Sequence, residues 1–187
     1  MRKLRAGWVT AVMLAIFTGG CAIAPLFTRE IAFSPQEMTE RLARRFPVER
    51  NIADLLQAKL TRPRVSIVPP AAAGATPRLA VGVDLEVKLP LTGKMLFGQM
   101  ALSGVPRYDT TARAIFLAEA RVDRVRVDNM PDALAAALAR AAIQFAGEYF
   151  AEKPIYALDA NEINRMGQFF LAERITLRAD KLVLVLK

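Results

Sequence analysis

No histidine occurs anywhere in the 187 residues, and cysteine occurs once, as Cys21. Without imidazole there is no Ser-His-Asp or Cys-His hydrolysis, no His-ligated zinc, and no ordinary side chain titrating near neutral pH. With Cys21 used elsewhere, no thiol is left for a disulfide, a thiolate metal site or a nucleophile. Carboxylate pairs, Ser-Lys arrangements and carboxylate magnesium sites survive on composition, but no spacing promotes one. Gly93 and Gly98 make no phosphate-cradling loop and read as turn and strand glycines. Asp84 and Glu86 share one side of a strand and could act as acid and base or ligate a cation. Alternating polar positions on a half-exposed strand predict the same pair. No catalytic residue, cofactor or metal is expected, and the chain reads as a non-enzyme.

Long apolar runs are also scarce. After Arg2, Lys3 and Arg5, residues Trp8 to Phe17 are mostly apolar. That is short of the about 20 residues a membrane span needs. Thr18-Gly19-Gly20 are small enough to lie extended in a peptidase cleft, so residues 1–20 have the make-up of an export signal. Ending on Cys21, the segment resembles the bacterial lipoprotein signal. The resemblance implies that the Cys21 thiol carries a diacylglycerol, that the chain is cut before it, and that the new amine is acylated. Thr18 departs from the Leu, Val or Ile usual three positions before the cysteine, whereas Gly19 and Gly20 fit. An ordinary secretory signal with an incidental cysteine, or an uncleaved anchor, is the alternative. Ala22 is not the Asp of the inner-membrane retention signal, which implies an outer-membrane anchor facing the periplasm.

Removing residues 1–20 takes three of the 26 basic residues and none of the 18 acidic ones, leaving 23 against 18, or +5. A basic surface suits nucleic acid or anionic headgroups. Arg121, Arg124 and Arg126 lack the interleaved aromatics of single-strand nucleic-acid binders, so no nucleic-acid partner is expected. The envelope compartment favours lipid.

Residues 21–33 read as a lipidated tether and residues 34–187 as one α+β domain. Ser34-Pro35-Gln36-Glu37 opens a helix through a capping box, with Phe33 and Met38 in staple positions, and Pro47 closes it. A strand is predicted from about Leu55 to Val68, interrupted near Pro63. Leu79 to Leu91 then alternate strictly with Ala80 to Pro90, a strand with one buried face. Lys94 to Val105 reads as a strand largely apolar on both faces, which is expected to be covered on both sides or to face an apolar cavity. Tyr108-Asp109-Thr110-Thr111 reads as a turn, and Arg113 to Val127 as a strand bulged near Asp123-Arg124. Bulges bend strands, which favours a curved sheet.

From Pro131 to Phe150 the spacing is helical, with Leu134, Leu138, Ala141, Phe145 and Tyr149 down one face and only a narrow polar stripe. Such a helix is expected to be largely enclosed. Asp159 and Glu162 form a second capping box, and Ile175–Leu177 with Leu182–Leu186 read as a closing hairpin.

Val105-Pro106-Arg107-Tyr108-Asp109 leading into Ala114-Ile115-Phe116-Leu117, and Tyr149-Phe150 before Lys153-Pro154-Ile155-Tyr156-Ala157-Leu158, resemble the YceB-like family of bacterial lipoproteins. The resemblance spans nearly the whole mature chain. It implies half of a tubular lipid-binding module, a curved antiparallel sheet wrapped around a long helix, and transfers no catalytic residue. The expected function is to hold or present a hydrophobic ligand, chiefly lipid, at the membrane to which Cys21 anchors the chain. Its walls would be Leu96, Phe97, Met100 and Leu102 from the strand, with Phe145 and Tyr149 from the helix. These residues filling a dry core is the plain alternative. An envelope scaffold binding an unknown protein through a strand edge or the arginine surface, with no ligand cavity, is the other.

Overall fold

The computed structural model of the protein describes residues 29–52, 56–70, 75–166 and 172–186. Residues 1–28, including Cys21, lie outside them. Strands β2 (Val48–Ile52), β3 (Leu56–Val68), β4 (Arg78–Lys88), β5 (Met95–Asp109), β6 (Ala114–Val127) and β7 (Tyr156–Ala157) form one antiparallel sheet in chain order. Strands β1 (Arg29–Phe33), β8 (Ala172–Leu177) and β9 (Leu182–Leu186) form a second sheet with β9 in the middle. Helices α1 (Pro35–Ala43), α2 (Asp132–Glu152) and α3 (Ala160–Met166) are the other elements of the described residues. Arg29–Phe33, read from sequence as the end of a tether, thus pairs with β9 as β1.

Local chemistry accounts for most boundaries. The Ser34 side chain accepts from the Glu37 N–H and the Glu37 carboxylate accepts from the Ser34 N–H, closing the capping box of α1. Phe33 and Met38, on either side of it, are both buried. In β4, Leu79, Val81, Val83, Leu85 and Val87 all enter the core, as alternation requires. The strand ends at Lys88, short of Leu91, because Leu89 to Lys94 close a turn in which the Gly93 N–H donates to the Leu89 carbonyl at 2.8 Å. The β3–β4 register slips between Thr61 and Arg64, around Pro63, which has no N–H to donate. The β5–β6 register slips where Asp123 is passed over and again near Glu119, whose φ is +50°. Strand β5 runs on through Tyr108 and Asp109, and the turn begins only at Thr110; the Asp109 carboxylate accepts from the N–H groups of Thr111 and Ala112 there.

The expected architecture, a curved antiparallel sheet wrapped around a long helix as in half of a tubular lipid-binding module, is not what the chain builds. Among the described residues the protein is mostly antiparallel strand, in a six-stranded and a three-stranded sheet, and no sheet is wrapped around α2. The helix buries only Leu138, Ala142, Ala146 and Phe150 and leaves Ile143 64% exposed. The physical reason is its alanine content: methyl side chains bring little apolar area, so leaving them in water costs little. The helix packs mainly along β6 and touches β2, α1 packs on β3, and β8 meets β5. Leu182, Leu184 and Leu186 of β9 join the same core, while Val183 and Val185 are buried on the other face.

Candidate functional site

Where α2 leaves β6 and passes over β3, β4 and β5 it does not close onto the sheet, and a half-open groove of about 390 Å³ remains. That volume lies within the range of about 300–1,000 Å³ typical of small-molecule sites. Its sheet side is Ala58 and Leu60 of β3, Leu85 of β4 and Met100 of β5. These reach it because they are the inward members of alternating strands, paired Ala58 to Val87, Leu60 to Leu85 and Val83 to Met100. The helix side is Leu138, Ala141, Ala142 and Phe145, one stripe at helical spacing whose small alanines create the room.

The rim is polar. Arg50 and Asn51 of β2 stand on one side, Arg140, Gln144 and Glu148 of α2 on the other. The Gln144 amide donates to the Glu148 carboxylate at 2.9 Å, one turn along the helix. The Arg50 guanidinium lies over the Phe145 ring, 5.4 Å from its centroid. Phe145 in turn stacks on Tyr149 at 4.9 Å and meets the edge of Phe150 at 6.5 Å. Apolar walls with two arginines, two amides and one carboxylate at the edge, the carboxylate already accepting from Gln144, can hold a hydrophobic body and meet an anionic or hydrogen-bonding head.

Of the residues singled out from sequence, Met100 and Phe145 line this groove. Tyr149 backs it through the stack on Phe145. Leu96 and Leu102 are buried in the core away from it. Phe97 is not a wall: it sits on the opposite face of β5 and is 61% exposed, because one residue of offset along a strand reverses the face. At this end the strand is therefore not covered on both sides, whereas farther along Leu102, Ser103 and Gly104 are buried in succession. Cys21 lies outside the described residues. Sequence reading missed Arg50, Asn51 and Ile52, whose strand shows no alternation; Val48 and Ile52, four apart, read equally well as helical.

The perturbed titratable groups lie elsewhere. Asp84 accepts from Arg64 and Arg62, each at 2.6 Å. The Arg64 bond foremost, helped by Arg62, holds its carboxyl below the usual range despite opposing burial. This ion cluster braces the β3 slip, since Arg62 and Arg64 stand on either side of Pro63. Between α1 and α3, Arg41 donates to Asp159 at 2.7 Å and Glu162 at 3.0 Å, and the Tyr156 hydroxyl donates to Glu162. The Asp159 carboxylate and the Glu162 N–H meet at 2.9 Å, completing the second capping box. The Glu162 N–H foremost, then Arg41, lowers the Asp159 carboxyl. Burial foremost, then the bond to Glu162, raises the Tyr156 hydroxyl well above the tyrosine range. Among the described residues no group of three His, Cys, Asp or Glu is placed to hold a metal, and no helix is long and apolar enough to cross a membrane.

Residues 33–181 match the family described as "Protein of unknown function (DUF1439)". The chain belongs to this family. No curated protein matches it. The DUF1439 match runs from the last residue of β1 to the β8–β9 turn, so every groove-lining position falls inside it and Cys21 falls before it.

Proposed function

We propose that this DUF1439 protein is a cell-envelope lipoprotein of the YceB-like kind, tethered to the outer membrane by acyl chains on Cys21, whose domain holds a lipid or similar hydrophobic ligand in the groove beneath α2. The observation that carries the reading is the pairing of an apolar groove of about 390 Å³ with Arg50 and Arg140 at its edge. Each methylene buried against such walls gains about 0.8 kcal/mol, and a guanidinium pairs well with phosphate or carboxylate. Among the described residues β2 is an edge of the large sheet, and it carries Glu49 and Arg50, charges that discourage the strand addition a scaffold role through this edge would need.

Native mass spectrometry of the full protein extracted in mild detergent tests the groove. Wild type should retain a lipid mass beyond any covalent acylation. Ala141→Trp, which fills the groove from its half-buried helix side, should lose that mass with an unchanged melt. Wild type bare of lipid, with none taken up on addition, overturns the reading. The anchor is tested separately by metabolic labelling with a fatty acid, where Cys21→Ser should abolish incorporation.

A further inference from the structure

Five large apolar side chains stand out as exposed among the described residues: Val68, Leu91, Met95, Phe97 and Ile143. Three of the five belong to one hairpin. Leu91, 93% exposed, is in the β4–β5 turn; Met95 and Phe97 follow on the outer face of β5, 43% and 61% exposed. On one strand face they lie about 7 Å apart. The turn itself does not demand this, since the Gly93 N–H and the Leu89 carbonyl close it and any polar residue would serve at position 91. Clustered apolar exposure rimmed by polar groups marks an interaction site.

The surrounding charge says what kind. Lys88 and Lys94 flank the turn, both exposed, and neither forms an ion pair among the described residues. Lys88 is in register with Met95. Farther along the outer face, Lys59 stands opposite Glu86, Glu86 opposite Phe97, and Arg126 pairs with Asp128 at 3.5 Å. Four basic groups against two carboxylates leave +2, with the two unpaired lysines nearest the apolar tip. Apolar tip and cationic collar are the two components of interfacial membrane binding.

We propose that the β4–β5 hairpin is a membrane-docking tip, which sinks Leu91, Met95 and Phe97 into the interface of an anionic bilayer while Lys88 and Lys94 meet its phosphates. Leu85 lies three residues from the strand end at Lys88, so the groove begins about 10 Å behind the tip. The surface is distinct from the groove and docks whether or not the groove holds lipid.

The test uses the full chain with Cys21→Ser and a single reporter cysteine, Leu91→Cys or Thr111→Cys, carrying an environment-sensitive fluorophore. Thr111 is in the β5–β6 turn at the opposite end of the sheet. With vesicles of equimolar phosphatidylcholine and phosphatidylglycerol, the label at 91 should shift to the blue and be quenched by lipids brominated in the acyl chain, while the label at 111 stays water-like. Lys88→Gln with Lys94→Gln should weaken binding about 30-fold, at about 1 kcal/mol per lysine. A silent label at 91, equal shifts at both positions, or a shift at 91 that follows protein concentration without vesicles, as pairing of two copies would give, overturns the assignment. Binding through the N-terminal segment alone leaves position 91 in water and counts against it.

Discussion

The Arg50 guanidinium rests on the face of Phe145, joining strand β2 to helix α2 across the edge of the groove. A cation over an exposed or half-buried ring contributes about 0.5–1 kcal/mol. Arg50→Ala should therefore lower stability by no more than about 1 kcal/mol in urea melts. It should reduce retained anionic lipid in native mass spectra by far more than that small loss of stability explains. Equal retention would show that the arginine only braces the helix.

Met100 and Phe97 are three residues apart on β5 and face opposite ways, so like substitutions should part company. Met100, 3% exposed, lines both core and groove. Met100→Ser should cost about 2–5 kcal/mol, since it deletes buried apolar volume. Phe97→Ser should leave stability within about 0.5 kcal/mol. Chemical denaturation of both variants checks the assignment of faces.

Two glycines give opposite expectations. A methyl group on Gly98 would lie 2.1 Å from the Arg126 carbonyl oxygen and 2.7 Å from Val127 Cα, backbone atoms that cannot yield without moving β6. Gly98→Ala should destabilise by about 3 kcal/mol or more, at the upper end of single substitutions. Gly147, exposed on α2 with nothing within 4 Å of an added methyl, should gain about 0.4–1 kcal/mol on replacement by Ala. Thermal melts of the two variants should move in opposite directions.

Stability should also fall at both ends of the pH scale, for different residues. Asp84 has its folded value depressed, so its contribution is complete above the unfolded carboxylate range and is lost as pH falls through the lower folded value. Asp84→Asn should be less stable at neutral pH yet lose less between about pH 4 and pH 2. Tyr156 has its folded value raised, so its contribution is complete below about pH 10 and drains away as pH climbs beyond the unfolded value. Tyr156→Phe should flatten that alkaline limb. Denaturation midpoints across pH would record both slopes.

What could be read from the sequence is local in origin. The two capping boxes, the alternation of β4, the slip at Pro63 and the bulge at Asp123 are each written in a few adjacent residues. What could not be read depends on partners far along the chain. Arg29–Phe33 becomes a strand only because Leu182–Leu186 lies beside it. The buried line of α2 centres on Ala142 and Ala146, beside the Ala141–Phe145 line, because alanines surround the helix and periodicity alone cannot rank them. Met100 and Phe145 were legible as apolar residues of neighbouring elements; that Arg50 would roof them was not, since β2 carries no pattern of its own.

Strands β1 and β9 impose an order of events. The six-stranded sheet is built from neighbours in sequence, so its hairpins can close as the chain emerges, whereas Arg29 must wait for Leu186 and Phe33 for Leu182. Contacts between the most distant segments are the slowest to form, because chain entropy is lost before they stabilise anything. Until that late step, the wholly apolar Leu182–Leu186 has only its hairpin partner β8 beside it, and its other edge is open to pairing with other chains. The addition of β1 to the β8–β9 hairpin is thus the final clasp, the step that covers the last open edge of β9.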